Sequence, residues 1–175
     1  MPADFPGAFA ALREILSKHG SGMIVQADTP TEYTLVTRAI GPNKKPLWFA
    51  GVLSKKSAVT FHLMPLYNNP KLLVTLRPEL KARMQGKSCF NFQRPDEKLF
   101  AELDRLTAAA RDQWKRAGFL EPGVISRERF EEAFQAAGGD VAAMAARRKA
   151  VTRKRKAQLG KKRTSAGVRK AKVRG

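Results

Sequence analysis

The sequence predicts an α+β fold: a small antiparallel sheet of about five strands flanked by N- and C-terminal helices, with a helical and then disordered basic tail. Three observations predict it. Strand-like runs crowd into residues 23–64, with connections too short for a parallel crossover of a dozen or more residues. Helical periodicity lies on both sides of that block. Residues 147–175 hold 14 Lys and Arg and no Asp or Glu, a run that repels itself and has little apolar area to offset its chain entropy.

The first helix spans 5–19. Phe5, Phe9, Leu12, Ile15 and Leu16 recur at helical spacing, Asp4 and Pro6 are start signals, and Gly20 stands where a C-terminal cap belongs. Strands follow at 23–27, 32–40, 47–53 and 58–64, separated by Asp28–Pro30, by Gly41–Pro46 and by Ser54–Ser57. Pro65 stops the fourth. Short helical stretches open at Pro70 and Pro78, the second running to about Gln85 before Gly86. A fifth strand, 88–92, places Phe90 and Phe92 on one face and Cys89 and Asn91 on the other. A long helix begins after Pro95. Its stripe is Leu99, Leu103, Leu106, Ala110 and Trp114, with Glu102, Arg105, Asp112 and Lys115 facing away and Gly118 as the cap. Glu121-Pro122-Gly123 reads as a linker, 127–137 as a short helix anchored by Phe130 and Phe134, and 141–159 as helix-forming but increasingly basic. The domains are therefore 1–120, the α+β body; 121–140, a linker and short helix; and 141–175, the basic tail.

The formal net charge of +19 is unevenly placed. Residues 1–146 carry 20 bases against 15 acids, a net of +5. The tail cations are Arg147, Arg148, Lys149, Arg153, Lys154, Arg155, Lys156, Lys161, Lys162, Arg163, Arg169, Lys170, Lys172 and Arg174. They are interleaved with small residues and no aromatic, so phosphate contact without base stacking is the expected mode. A nucleic acid or another polyanion is the expected partner. A membrane is not, because the tail beyond Leu159 lacks an apolar face and no run approaches the roughly 18 apolar residues of a span. The single cysteine, Cys89, permits no intrachain disulfide and fits a reducing compartment. The N-terminus has no basic region followed by an apolar one, as a signal peptide would. The expected location is the cytoplasm.

Candidate chemistry is sparse. His62 and Cys89 project from strands that, if adjacent, share a polar face with Asn91; a packed histidine and an inert thiol are the simpler reading, since no orienting group is identifiable. His19, His62 and Cys89 are the only imidazole or thiol ligands, and no pair has zinc-site spacing. No metal and no cofactor is expected. Gly86-Lys87-Ser88 resembles the end of a phosphate loop, but Lys81 stands where the first glycine belongs. A weaker anion site remains open at Lys81, Arg83 and Lys87. Trp48, Phe49, Phe61 and Tyr67 are candidates for an apolar ligand pocket, against the simpler reading of core. The ligand-site candidates taken together are His62, Tyr67, Lys87, Cys89 and Asn91. No segment carries a catalytic signature, so the chain reads as a binding module rather than an enzyme. The alternative is a small-ligand or iron-binding domain, or thiol chemistry at Cys89, with an incidental tail.

Residues 61–67 (FHLMPLY) and 78–92 (PELKARMQGKSCFNF), with 29–33 (TPTEY), resemble the YdhG-like family of domains of unknown function over about residues 7–120. The resemblance implies a small antiparallel sheet packed with helices, and some relatives have been likened to frataxin-type iron chaperones. Iron wants carboxylate clusters, whereas residues 21–94 offer only Asp28, Glu32 and Glu79.

Overall fold

The computed structural model describes residues 2–136, 138–142, 145–146 and 149–153. The chain divides into two compact units, Met1–Gly139 and Asp140–Gly175. The first unit is α+β. Its elements are α1 (Phe5–Lys18), β1 (Ile24–Thr29), β2 (Glu32–Ile40), β3 (Pro46–Ser54), β4 (Val59–Leu63), α2 (Pro65–Asn68), a 3-10 turn (Pro70–Leu73), α3 (Pro78–Lys81), β5 (Met84–Gln85), β6 (Cys89–Phe92), α4 (Glu97–Arg116), β7 (Gly123–Val124) and α5 (Arg127–Ala136).

Local chemistry sets the helix ends. The Asp4 carboxylate accepts from Gly7 N at 2.9 Å, satisfying one of the orphan amides of the first turn. Helix α1 is capped at His19, and Gly20 follows where a cap glycine is expected, its N bonded to Ser17 O at 3.0 Å; the left-handed glycine is Gly22 (φ 81°). At the end of α4, Gly118 (φ 72°) lets Phe119 N reach Trp114 O at 2.9 Å and Gly118 N reach Lys115 O at 2.9 Å. The rings of Trp114 and Phe119 then meet at 5.6 Å, the apolar contact that accompanies such a cap.

The sheet runs β1-β2-β3-β4-β6-β5, every pair antiparallel, with β7 added parallel to the end of β2. Alternation sends Tyr33, Leu35, Val52, Phe61, Leu63, Phe90 and Phe92 to one face, where all are buried. Helices α1 and α4 cover that face with Phe9, Leu12, Leu16, Leu103 and Trp114. The β2–β3 register slips between Leu35 and Val36, and the bulge takes both Phe49 and Ala50 into the core, Phe49 against Trp114 at 5.5 Å.

Three expectations are corrected. The α+β unit does not stop at residue 120, and 121–140 is not a free linker. Strand β7 pairs with Ala39 and Ile40, Ile125 and Phe134 are buried, and the Phe130 ring stacks on Phe119 at 5.5 Å. Helix α3 ends at Lys81 because Met84 and Gln85 pair with Phe90 and Cys89. Glu102 does not face solvent: both carboxylate oxygens are held by Arg77, one by its backbone N and one by Nε, each at 2.8 Å. Of the predicted helix over 141–159, residues 141–142, 145–146 and 149–153 are described and helical. The disorder expected from Gly160 onward lies outside the described residues.

Candidate functional site

Strands β4 and β6 are neighbours, and their register sets His62 opposite Cys89 and Thr60 opposite Asn91. These side chains lie on the face away from α1 and α4. There Thr60 Oγ1 donates to Asn91 Oδ1 at 2.8 Å, and Asn91 Nδ2 donates to Gln85 Oε1 at 2.8 Å. The His62 Nε2 and the Ser88 hydroxyl share a hydrogen bond of 2.9 Å. The Trp48 indole stands edge-on to the His62 ring at 4.7 Å. It lies over Gly51, whose missing side chain makes the room: a Cβ there would come within 2.6 Å of Trp48 Cζ2 and 2.8 Å of Thr34 Cγ2.

Burial, and then the positive charge of Lys55, push the His62 imidazole below its usual value, so the ring is neutral at pH 7. A neutral imidazole bonded to a serine hydroxyl resembles half of a nucleophile–base pair. The other half is absent among the described residues: no carboxylate hydrogen-bonds to His62 to orient it. Cys89 is half-buried beside it, yet its neighbour's Nε2 is taken by Ser88. No group of three or more His, Cys, Asp or Glu could hold a metal among the described residues.

The candidates thus separate into two sets. His62, Cys89 and Asn91 share one face. Lys87 and Tyr67 meet each other instead, Lys87 Nζ standing 5.5 Å from the Tyr67 ring centroid. Two of the three residues of the expected anion cluster have partners of their own. Lys81 Nζ donates to Val74 O at 3.5 Å and Lys87 turns to Tyr67. The four aromatics line no common pocket, since Phe49 and Phe61 are in the core and Trp48 is on the opposite face. A cleft of about 270 Å³ lies elsewhere, between the Pro70–Arg77 segment and α4. Its charged groups compensate one another. Burial alone would raise the Glu102 carboxyl, but the hydrogen bonds and charge of Arg77, with Arg105 beside it, hold it below its ordinary value.

Thr60 and Gln85 join the face without being singled out in the sequence, while Trp48 is singled out there for an apolar pocket and Ser88 for a phosphate loop. The charge of the body also divides along the fold. Residues 33–95 carry Arg38, Lys44, Lys45, Lys55, Lys56, Lys71, Arg77, Lys81, Arg83, Lys87 and Arg94 against the single acid Glu79. The remainder of 1–146, mostly helical, carries 9 bases against 14 acids. The excess positive charge of the body therefore belongs to residues 33–95.

No family model, no curated protein and no solved structure matches this chain. No helix among the described residues is long and apolar enough to cross a membrane.

Proposed function

We propose that this chain is a non-catalytic binding module that holds polyanions, nucleic acid first among them, through its C-terminal charge. The observation that carries the reading is the run of 14 Lys and Arg without one acid in residues 147–175. Each phosphate neutralised by such a cation releases condensed counterions, which supplies affinity without sequence preference. The excess of bases over residues 33–95 adds to the same field.

Thiol chemistry at Cys89 has less support, because the nearest base is engaged with Ser88. Iron binding has less still, because the acids lie apart from one another in residues 21–94. A cytoplasmic location, from the lone cysteine, and membership of the YdhG-like family, from the strings at 61–67 and 78–92, belong to the same proposal. The test is duplex binding at two salt concentrations by the full chain and by a chain ending at Ala146. Equal affinity of the two chains would overturn the reading.

A further inference from the structure

We infer that the sheet face left uncovered by α1 and α4 binds single-stranded nucleic acid along β3, with Trp48 as the stacking surface and the lysine turns at either end of the strand on the phosphates. The inference rests on the polyanion reading and goes further: it places base contact in the folded domain, where the tail has none to offer.

Strand β3 is nine residues long, which at about 3.3 Å per residue is roughly 30 Å. A pair of lysines stands just before it, Lys44 and Lys45, and another just after it, Lys55 and Lys56, all exposed. Arg38, exposed on neighbouring β2, is on the same side of the sheet as Thr34 and Val36. None of these five enters an ion pair among the described residues; the pairs formed use Arg13, Lys18, His19 and Arg77. Unpaired cations at the two ends of a strand match a flexible phosphate backbone laid along it. The one acid whose register puts it on this face is Glu32, opposite Leu53.

Between the lysines lies the other half of a single-strand site. Trp48 is half-buried, propped over Gly51 and steadied by His62. Single-strand binders without sequence preference combine such an aromatic surface with a basic track. The amides of Asn91 and Gln85, already bonded to each other, border the track with polar groups. Duplex is the poorer fit. Reading its major groove needs a helix or a two-stranded ribbon to enter it, and this face is the flat of a sheet. A lipid surface fits less well, because the face is a mixture of hydroxyl, amide and imidazole groups rather than a continuous apolar patch.

The two tryptophans provide the test in the full chain. Trp114 is only 1% exposed, so a ligand on the sheet changes the emission of Trp48. Oligo-dT of about 12 nucleotides, within the length one small binding fold covers, is titrated into the wild-type chain, Trp48→Phe and Trp48→Ala. Quenching is expected in the wild type and not in Trp48→Phe, where Trp114 alone reports. Trp48→Ala is expected to weaken oligo-dT binding about 5- to 150-fold, the loss of one stacked base, and to leave duplex binding unchanged. The double variant Lys55→Glu/Lys56→Glu, which touches no core residue, is expected to weaken oligo-dT more than duplex. Oligo-dT that binds without quenching Trp48 overturns this inference and leaves the tail reading standing. No binding of either nucleic acid at low salt overturns both. Equal quenching by polyglutamate overturns the assignment to nucleic acid.

Discussion

Ser88 and His62 are joined by a 2.9 Å hydrogen bond, although Cys89 is the register partner of His62 across the β4–β6 ladder. The residue next to the expected partner thus takes the imidazole nitrogen. The thiol gains no base from its neighbour, and a thiol becomes a strong nucleophile only when something favours the thiolate. His62→Ala is therefore expected to leave the alkylation rate of Cys89 unchanged, read with iodoacetamide on the folded chain. A large fall in rate would restore the Cys-His pair as chemistry.

The same imidazole makes the fold sensitive to mild acid. Burial and Lys55 lower its folded value below that of the unfolded chain, so the unfolded state binds the proton more readily. Stability is full above the unfolded value of about 6.5 and falls as pH drops through it towards the depressed folded value. Asp104 and Glu102 act lower. Burial opposes their ionisation, but Lys18 and His19 for Asp104, and Arg77 for Glu102, outweigh it and lower both carboxyls. Their contribution is present above about pH 4 and lost as pH falls through the depressed folded values. Urea midpoints between pH 7 and 5 should decline in the wild type and decline less in His62→Gln, while the two coincide in slope below about pH 4. Identical slopes between pH 7 and 5 would contradict the assignment.

Where period-2 alternation is long enough to register, the sequence reveals the fold. Strands β2, β3, β4 and β6 fall within two residues of their expected limits, and the sharing of one face by His62, Cys89 and Asn91 follows from alternation on adjacent strands. Strands β5 and β7 have two residues each, too few for any period, and exist through their partners. The helix opened by Pro78 has favourable composition to Gln85, but pairing with β6 wins over propensity. Ser88 precedes β6 and so falls outside its alternation. Glu102 looks solvent-facing on a helical wheel because the wheel does not contain Arg77. The engagement of Lys81 with Val74 O and of Lys87 with the Tyr67 ring is not legible in the sequence, because both partners come from outside the hairpin.

Truncation measures the corrected boundary. A chain ending at Gly139 is expected to unfold cooperatively, and one ending at Leu120 to lose several kcal/mol or to fail to fold. The shorter chain loses the burial of Ile125 and Phe134, each worth about 1.5–3 kcal/mol when complete, and the stacking of Phe130 on Phe119. Ile125→Ala within the longer chain isolates one of these contacts, with an expected cost of about 2–5 kcal/mol in urea unfolding. Equal stability of the two truncations would return the boundary to 120.

Gly51 controls the face rather than the core. Its Cβ would collide with the Trp48 indole at 2.6 Å and with the Thr34 methyl at 2.8 Å, and Thr34 is itself buried. Gly51→Ala is expected to cost about 1–3 kcal/mol as overpacking and to swing Trp48 outward. A red shift in tryptophan emission checks it, since Trp114 stays enclosed. Gly51→Ala with wild-type stability and spectrum would mean that the indole has somewhere else to lie.

The tail makes the steepest prediction because counterion release scales with the number of phosphates engaged. With 14 cations in residues 147–175, engagement of roughly 6–10 phosphates is within reach, and duplex affinity should fall about 10³–10⁵-fold between 50 and 200 mM salt. The tail has no scaffold that could read base edges, so unrelated duplexes should bind alike. Helix over 141–159 should increase on binding, since Ala, Arg and Lys favour helix once their repulsion is neutralised, and far-UV circular dichroism reads it directly. The chain ending at Ala146 should retain a shallower salt slope from the lysines of the sheet turns. An unchanged slope after truncation would transfer the whole of the binding to the body, where Lys44, Lys45, Lys55 and Lys56 become the groups to reverse in charge.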